Sequence, residues 1–190
     1  MATPTTLPAT FVAGNVLTAL QMNDLRGAFR IMQVVSTTKT DTFTTTSTSM
    51  TDITGLSLSI TPSATSSLVF VIATVQAQGQ NATADGFLQL MRGTTAIGIG
   101  DAAGSRQRAG AQVFLLNAAQ TASHVMFTLD SPATTSATTY KVQIRAAAAG
   151  TMYVNRGHTV TYYTAPTTIV YELILNDATY GTLDSTNVLG

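Results

Sequence analysis

From about residue 40 onward the apolar residues of this chain recur with a period of two, and that alternation constrains the fold more than any other feature. In an extended strand successive side chains point to opposite faces, so Leu56, Leu58 and Ile60 against Ser57, Ser59 and Thr61 give one buried and one wet face. Ser67 to Val75 is apolar on both faces, which predicts a central strand covered on two sides. Phe87 to Met91 and Thr95 to Ile99 flank Arg92-Gly93-Thr94, a hairpin turn. Val113 to Leu116, Val125 to Leu129, Tyr140 to Ile144 and Ile169 to Leu175 supply further strands. Their separators Gly98-Ile99-Gly100, Asp130-Ser131-Pro132 and Ala149-Gly150 carry turn chemistry. The Thr-rich stretch Thr37 to Thr54 reads as a strand or edge segment rather than a linker, because Thr is β-branched. Many short strands without a fixed repeat predict an all-β protein, an antiparallel β-sandwich or jelly roll.

The first residues have a different texture. Thr18 with Gln21 three residues later forms a capping box, and Leu17 and Met22 occupy the positions of a hydrophobic staple. Met22, Leu25, Phe29 and Met32 follow at three- and four-residue spacing, so a short N-terminal helix with one apolar stripe is expected to precede the sandwich. Gly27 weakens its middle by about 1 kcal/mol relative to Ala. Three segments result: an arm and docking helix at 1–36, a β-sandwich body at 37–176, and a tail at 177–190.

Composition removes several classes of function. Only 9 % of the 190 residues are charged, nine Lys+Arg against nine Asp+Glu, while 45 % are hydrophobic. A net charge of zero, with Lys39 and Lys141 as the sole lysines, provides no basic patch to displace counterions from phosphates, so no nucleic-acid partner is expected. The same neutrality favours self-association. Cysteine is absent, which excludes disulfides, thiolate zinc sites and thiol catalysis. No apolar run approaches the ~20 residues of a membrane span, and Met1 to Ala9 lacks the basic and apolar stretches of an export signal.

Catalytic chemistry finds few candidates. The two imidazoles are His124, alternating with Met126 and Thr128 on a strand, and His158 in the loop Asn155-Arg156-Gly157-His158. A structural histidine and an exposed one are the favoured readings, and two His do not make a dense metal ligand set. A glycosidase uses a pair of carboxylates, whereas Glu172 is the single Glu and Asp24, Asp52, Asp101 and Asp130 read as turn or cap residues. Gly98-Ile99-Gly100-Asp101-Ala102-Ala103-Gly104 fails the dinucleotide fingerprint on spacing and on the missing βαβ context. Asn81-Ala82-Thr83 matches the glycosylation pattern without a secretory context. No catalytic residue, metal or cofactor is assigned. Surface recognition remains: Arg106, Arg108, Tyr153, Tyr162 and Tyr163 are of the types that anchor interfaces, between identical subunits or with a receptor or glycan.

The segment Phe11-Val12-Ala13-Gly14-Asn15-Val16-Leu17-Thr18-Ala19-Leu20-Gln21-Met22-Asn23-Asp24 resembles the opening of many tailed-bacteriophage structural proteins, in which an AG-x-VLTA-x-x-MN element precedes a β-rich body. Leu88 to Asp101 and Leu129 to Tyr140 are similar to stretches that recur in phage appendage proteins. The resemblance implies a virion structural protein, a homotrimer of β-sandwich subunits, docked on tail or capsid through Val16, Leu17, Leu20, Met22, Leu25 and Phe29. It carries no catalytic motif. Three readings follow. The first is a tail appendage of the short fibre, spike or baseplate type that contacts the host surface. The second is a head decoration protein that clamps the shell. The third is a host-polysaccharide-degrading enzyme, which Glu172→Gln and Asp101→Asn would inactivate.

Overall fold

The computed structural model describes residues 33–80, 85–114, 121–156 and 167–175. They form two antiparallel sheets facing each other across one core. The first sheet is built on β4 (Leu68–Gly79). One edge of β4 pairs with β8 (Ala122–Asp130) from Val69 to Ala77. Its other edge is shared: β11 (Thr167–Leu175) takes one end and β10 (Met152–Val154) the other. β1 (Val34–Lys39) lies outside β11, and β2 (Phe43–Thr45) lies outside β10. The second sheet runs β3 (Thr51–Ile60), β9 (Thr138–Ala146), β5 (Gly86–Arg92), with β6 (Thr95–Ile97) and β7 (Ala111–Val113) sharing the far edge of β5.

Alternation explains the core. On β4, Val69, Val71, Ala73 and Val75 are fully buried while Leu68, Phe70, Ile72 and Thr74 point the other way, half-buried. Leu88, Leu90, Val142 and Ile144 meet them from the second sheet. Each such aliphatic side chain contributes about 1.5–3 kcal/mol by leaving water. β3 departs from strict alternation. Thr51 and Asp52 pair with Ile144 and Gln143, but the ladder resumes only at Ser57 opposite Lys141. Gly55, at φ +86°, makes this bulge, so Ile53 and Leu56 both face the core although three positions apart.

Polar groups lock the two sheets together. Asp130, the last residue of β8, is buried and accepts hydrogen bonds from Arg92 Nη1 (2.8 and 3.0 Å) and from the Tyr140 hydroxyl (2.6 Å). Arg92 and Tyr140 are register partners in the second sheet, so one carboxylate of the first sheet ties down two strands of the other. Within the first sheet Asn155, at φ +59°, ties the end of β10 to the turn after β1 by donating to the carbonyls of Lys39 (2.8 Å) and Asp41 (3.0 Å). The buried Lys39 ammonium reaches the exposed Asp41 carboxylate at 2.8 Å and holds that carboxyl below its usual pKa.

The expected fold class, a sandwich preceded by a helix, needs correction. The structure is all-β, no helix occurs among the described residues, and the stretch from Thr18 to Met32 lies outside them. The central strand, the hairpin around Gly93-Thr94 and the strands read at 125–129, 140–144 and 169–175 are all present. β10 has no counterpart in the periodicity, because its three consecutive buried residues show no alternation.

Candidate functional site

Each sheet has one face on the core and one turned outward, and the two outward faces differ in chemistry. That of the second sheet is a polar network. Asp52 accepts hydrogen bonds from Lys141 Nζ at 2.8 Å and Gln143 Nε2 at 2.7 Å, which hold its carboxyl below the usual carboxylate range against the opposing effect of partial burial. Gln89 reaches Gln143 at 3.3 Å, and Ser59 bonds Thr139 at 2.9 Å. The Arg145 guanidinium stacks 4.8 Å above the Phe87 ring, bonds Gln107, and donates to the Thr48 carbonyl at 3.1 Å. Asp52, Gln89, Lys141, Gln143 and Arg145 each have a partner of their own sheet or of an adjoining loop, as in a surface adapted to water.

The outward face of the first sheet is apolar. On β8, Val125 is 56 % exposed, Phe127 68 % and Leu129 53 %. Their cross-strand partners on β4 are Thr74, Ile72 and Phe70. Phe70 and Phe127 form a tilted aromatic pair with centroids 6.4 Å apart. On β1 of the same sheet Val34 is 55 % exposed. Monomeric proteins rarely leave so continuous an apolar patch in water.

This presentation is set by register. A strand that alternates Val125, Phe127, Leu129 with His124, Met126, Thr128 has its more apolar side in the first set, yet that set faces outward. A slip of one residue would turn it inward and would carry Asp130 out of its bonds to Arg92 and Tyr140. The buried carboxylate therefore anchors the strand with its apolar residues toward solvent.

The residues singled out in the sequence fall in other places. Arg106 and Arg108 are exposed in the loop between β6 and β7, where Arg108 Nε donates to the Gly100 carbonyl at 2.7 Å. Tyr153 is buried in β10, with the Arg156 guanidinium 4.7 Å above its ring. The structure does not bring Tyr153 together with Arg106 and Arg108 on one surface. Val16, Leu17, Leu20, Met22, Leu25, Phe29, Tyr162 and Tyr163 lie outside the described residues, as does His158. His124 faces inward from β8, and its Nε2 is buried without a hydrogen-bond partner. Burial lowers its pKa, opposed by a hydrogen bond with the Ala77 backbone. Among the described residues no three His, Cys, Asp or Glu side chains gather into a group that could hold a metal ion, and no helix is long and apolar enough to cross a membrane. The sequence does contain the exposed stripe as the alternation around Phe127. Its direction depends on Asp130, which reads as a turn residue until its partners are seen.

No protein-family model matches the chain, and no curated protein matches it. Among solved structures it is similar to a chain described under "Structure of infectious bursal disease virus Gx strain", at 17 % identity and a TM-score of 0.36. The match covers 76 % of this chain and 37 % of the other, so this chain spans little more than a third of the length of the one it matches.

Proposed function

We propose that this chain is a non-enzymatic structural subunit of a virus particle, of the kind that packs into or onto the shell, and that the outward face of the β4–β8 sheet is the surface by which it is built in. One observation carries the reading: the molecule is two-sided, with a polar network on one sheet and an uncovered apolar face on the other. An enzyme concentrates its unusual groups in a cleft, whereas a subunit concentrates them on a broad surface that a neighbour will cover. The likeness of Phe11 to Asp24 to phage structural proteins supplies the particle. Its partners are copies of itself and neighbouring virion proteins. The shell reading is favoured over the tail appendage because a broad sheet face suits lateral packing among many subunits. The appendage reading draws on the N-terminal element alone. The loop bearing Arg106 and Arg108 belongs to the opposite sheet and stays free for a receptor or glycan.

Antibody fragments against the purified chain, applied to intact particles and viewed by electron microscopy, test this. Many copies distributed over the head are expected. A few copies at a single vertex would replace the shell reading with the appendage, and unlabelled particles would remove the virion assignment. Release of sugar fragments from host polysaccharide by the pure chain would make it an enzyme.

A further inference from the structure

We infer that the outward face of the β4–β8 sheet is the contact between two copies of this chain, packed face to face across a two-fold axis. The inference stands on the geometry of that face and does not need the virion reading.

The exposures of Val125, Phe127 and Leu129, with the half-buried Leu68, Phe70 and Ile72 beside them, leave about 400 Å² of apolar side chain open on one face. A stable interface covers about 800 Å² on each partner, and homodimer interfaces are about 65 % apolar. The patch supplies about half of that area as apolar surface, and Thr74, Gln76, Ser123 and Ser36 continue it as an uncharged rim.

A face that meets its own copy sets like against like, so any charge near its centre would be repelled and desolvated there. On β4 and β8 the outward positions from Phe70 to Gln76 and from Ser123 to Leu129 carry no ionisable group. The ionisable residues of β5 and β9, Arg92, Lys141 and Arg145, belong to the other sheet. Register places the glutamate position 172 opposite Val34 in the outermost strand pair, away from β8. Gln76 and Ser123 already bond each other, so these two rim groups enter the contact paired.

Other arrangements fit less well. Edge pairing of β8 with a second β8 would satisfy backbone groups but leave the apolar face in water. A ring of three needs two different complementary surfaces on each copy, whereas a two-fold contact uses the same surface twice. The described residues offer one large apolar face.

Sedimentation of the full chain at concentrations from about 1 to 100 μM tests the inference. A dimer is expected, and Phe127→Asp should sediment as a monomer with its far-UV circular dichroism unchanged. Should Phe127→Asp fail to fold, Phe127→Thr, which retains β propensity, should weaken dimerisation by about a hundredfold or more. Ser59→Asp, on the polar outward face of the other sheet, should leave the dimer intact. Because the chain has no cysteine, Val125→Cys gives a single thiol, which should react slowly with maleimide in the dimer and fast on dilution into monomer. Four results would overturn the inference: a monomer at every concentration, a trimer, a dimer indifferent to Phe127→Thr, or a monomeric Val125→Cys protein whose thiol stays blocked because another part of the chain covers the face.

Discussion

The bonds that Asp130 makes across the core set both the cohesion of the two sheets and the outward direction of Phe127, so removing them should be costly by an amount the geometry specifies. The carboxylate accepts two contacts from Arg92 Nη1, at 2.8 and 3.0 Å, and one from the Tyr140 hydroxyl at 2.6 Å. Hydrogen bonds to a charged group contribute about 1.5–3 kcal/mol each. Tyr140 is fully buried and has no route to water, whereas Arg92 is 28 % exposed and regains solvation, so most of its share is discounted. Asp130→Ala should therefore lose about 2–4 kcal/mol. Tyr140→Phe removes one donor and leaves Asp130 paired with Arg92, for about 1–2 kcal/mol. The bond between Asp130 and Tyr140 is lost in both single variants but only once in the double, so the double's loss should fall short of the sum of the two by about 1–2 kcal/mol. Urea unfolding followed by circular dichroism measures all four proteins, with unchanged slopes required for the comparison. An Asp130→Ala protein within about 1 kcal/mol of the parent, or strict additivity, would refute the account of Asp130 as the tie between the sheets.

Three further outcomes follow from burial, hydrogen bonding and close approach. Because burial lowers the folded-state pKa of His124 below 6.5, the unfolded chain binds the proton first; stability is complete above about pH 7 and falls as pH drops through 6.5, a decline that His124→Gln should abolish in urea midpoints measured between about pH 7.5 and 5. The carboxyl of Asp52 is shifted the same way, so its contribution is present above 3.8 and is lost only as pH falls below that value, which separates the two titrations. Gly86→Ala should cost about 2–3 kcal/mol, since the new Cβ would stand 2.8 Å from the Arg145 carbonyl of the neighbouring strand and against Met152, while Gly100→Ala, with nothing within 4 Å, should be neutral in the same melting assay.

Period and composition were enough for much of the architecture. The two-sided apolarity of Ser67 to Val75 marks β4 as central, and Arg92-Gly93-Thr94 between alternating runs marks the β5–β6 hairpin, with Arg92 itself still in the strand, because both signals are local. Signals that depend on distant partners were not legible. Met152 to Val154 is too short to alternate, and becomes a strand only because β4 and β2 offer it ladders on both sides. Tyr153 has the composition of a surface anchor and lies buried for the same reason. The helix expected at the start rested on a spacing that no described element bears out.

The sequence by itself determined that this chain would form strands, that they would be antiparallel, and that no thiol chemistry or basic groove would be available, since these follow from side-chain period and inventory. Which side of β8 faces water was decided only in the tertiary structure. A strand has two faces of equal standing until something fixes its register, and here a single buried carboxylate, bonded to two residues of the opposite sheet, turns the apolar side outward.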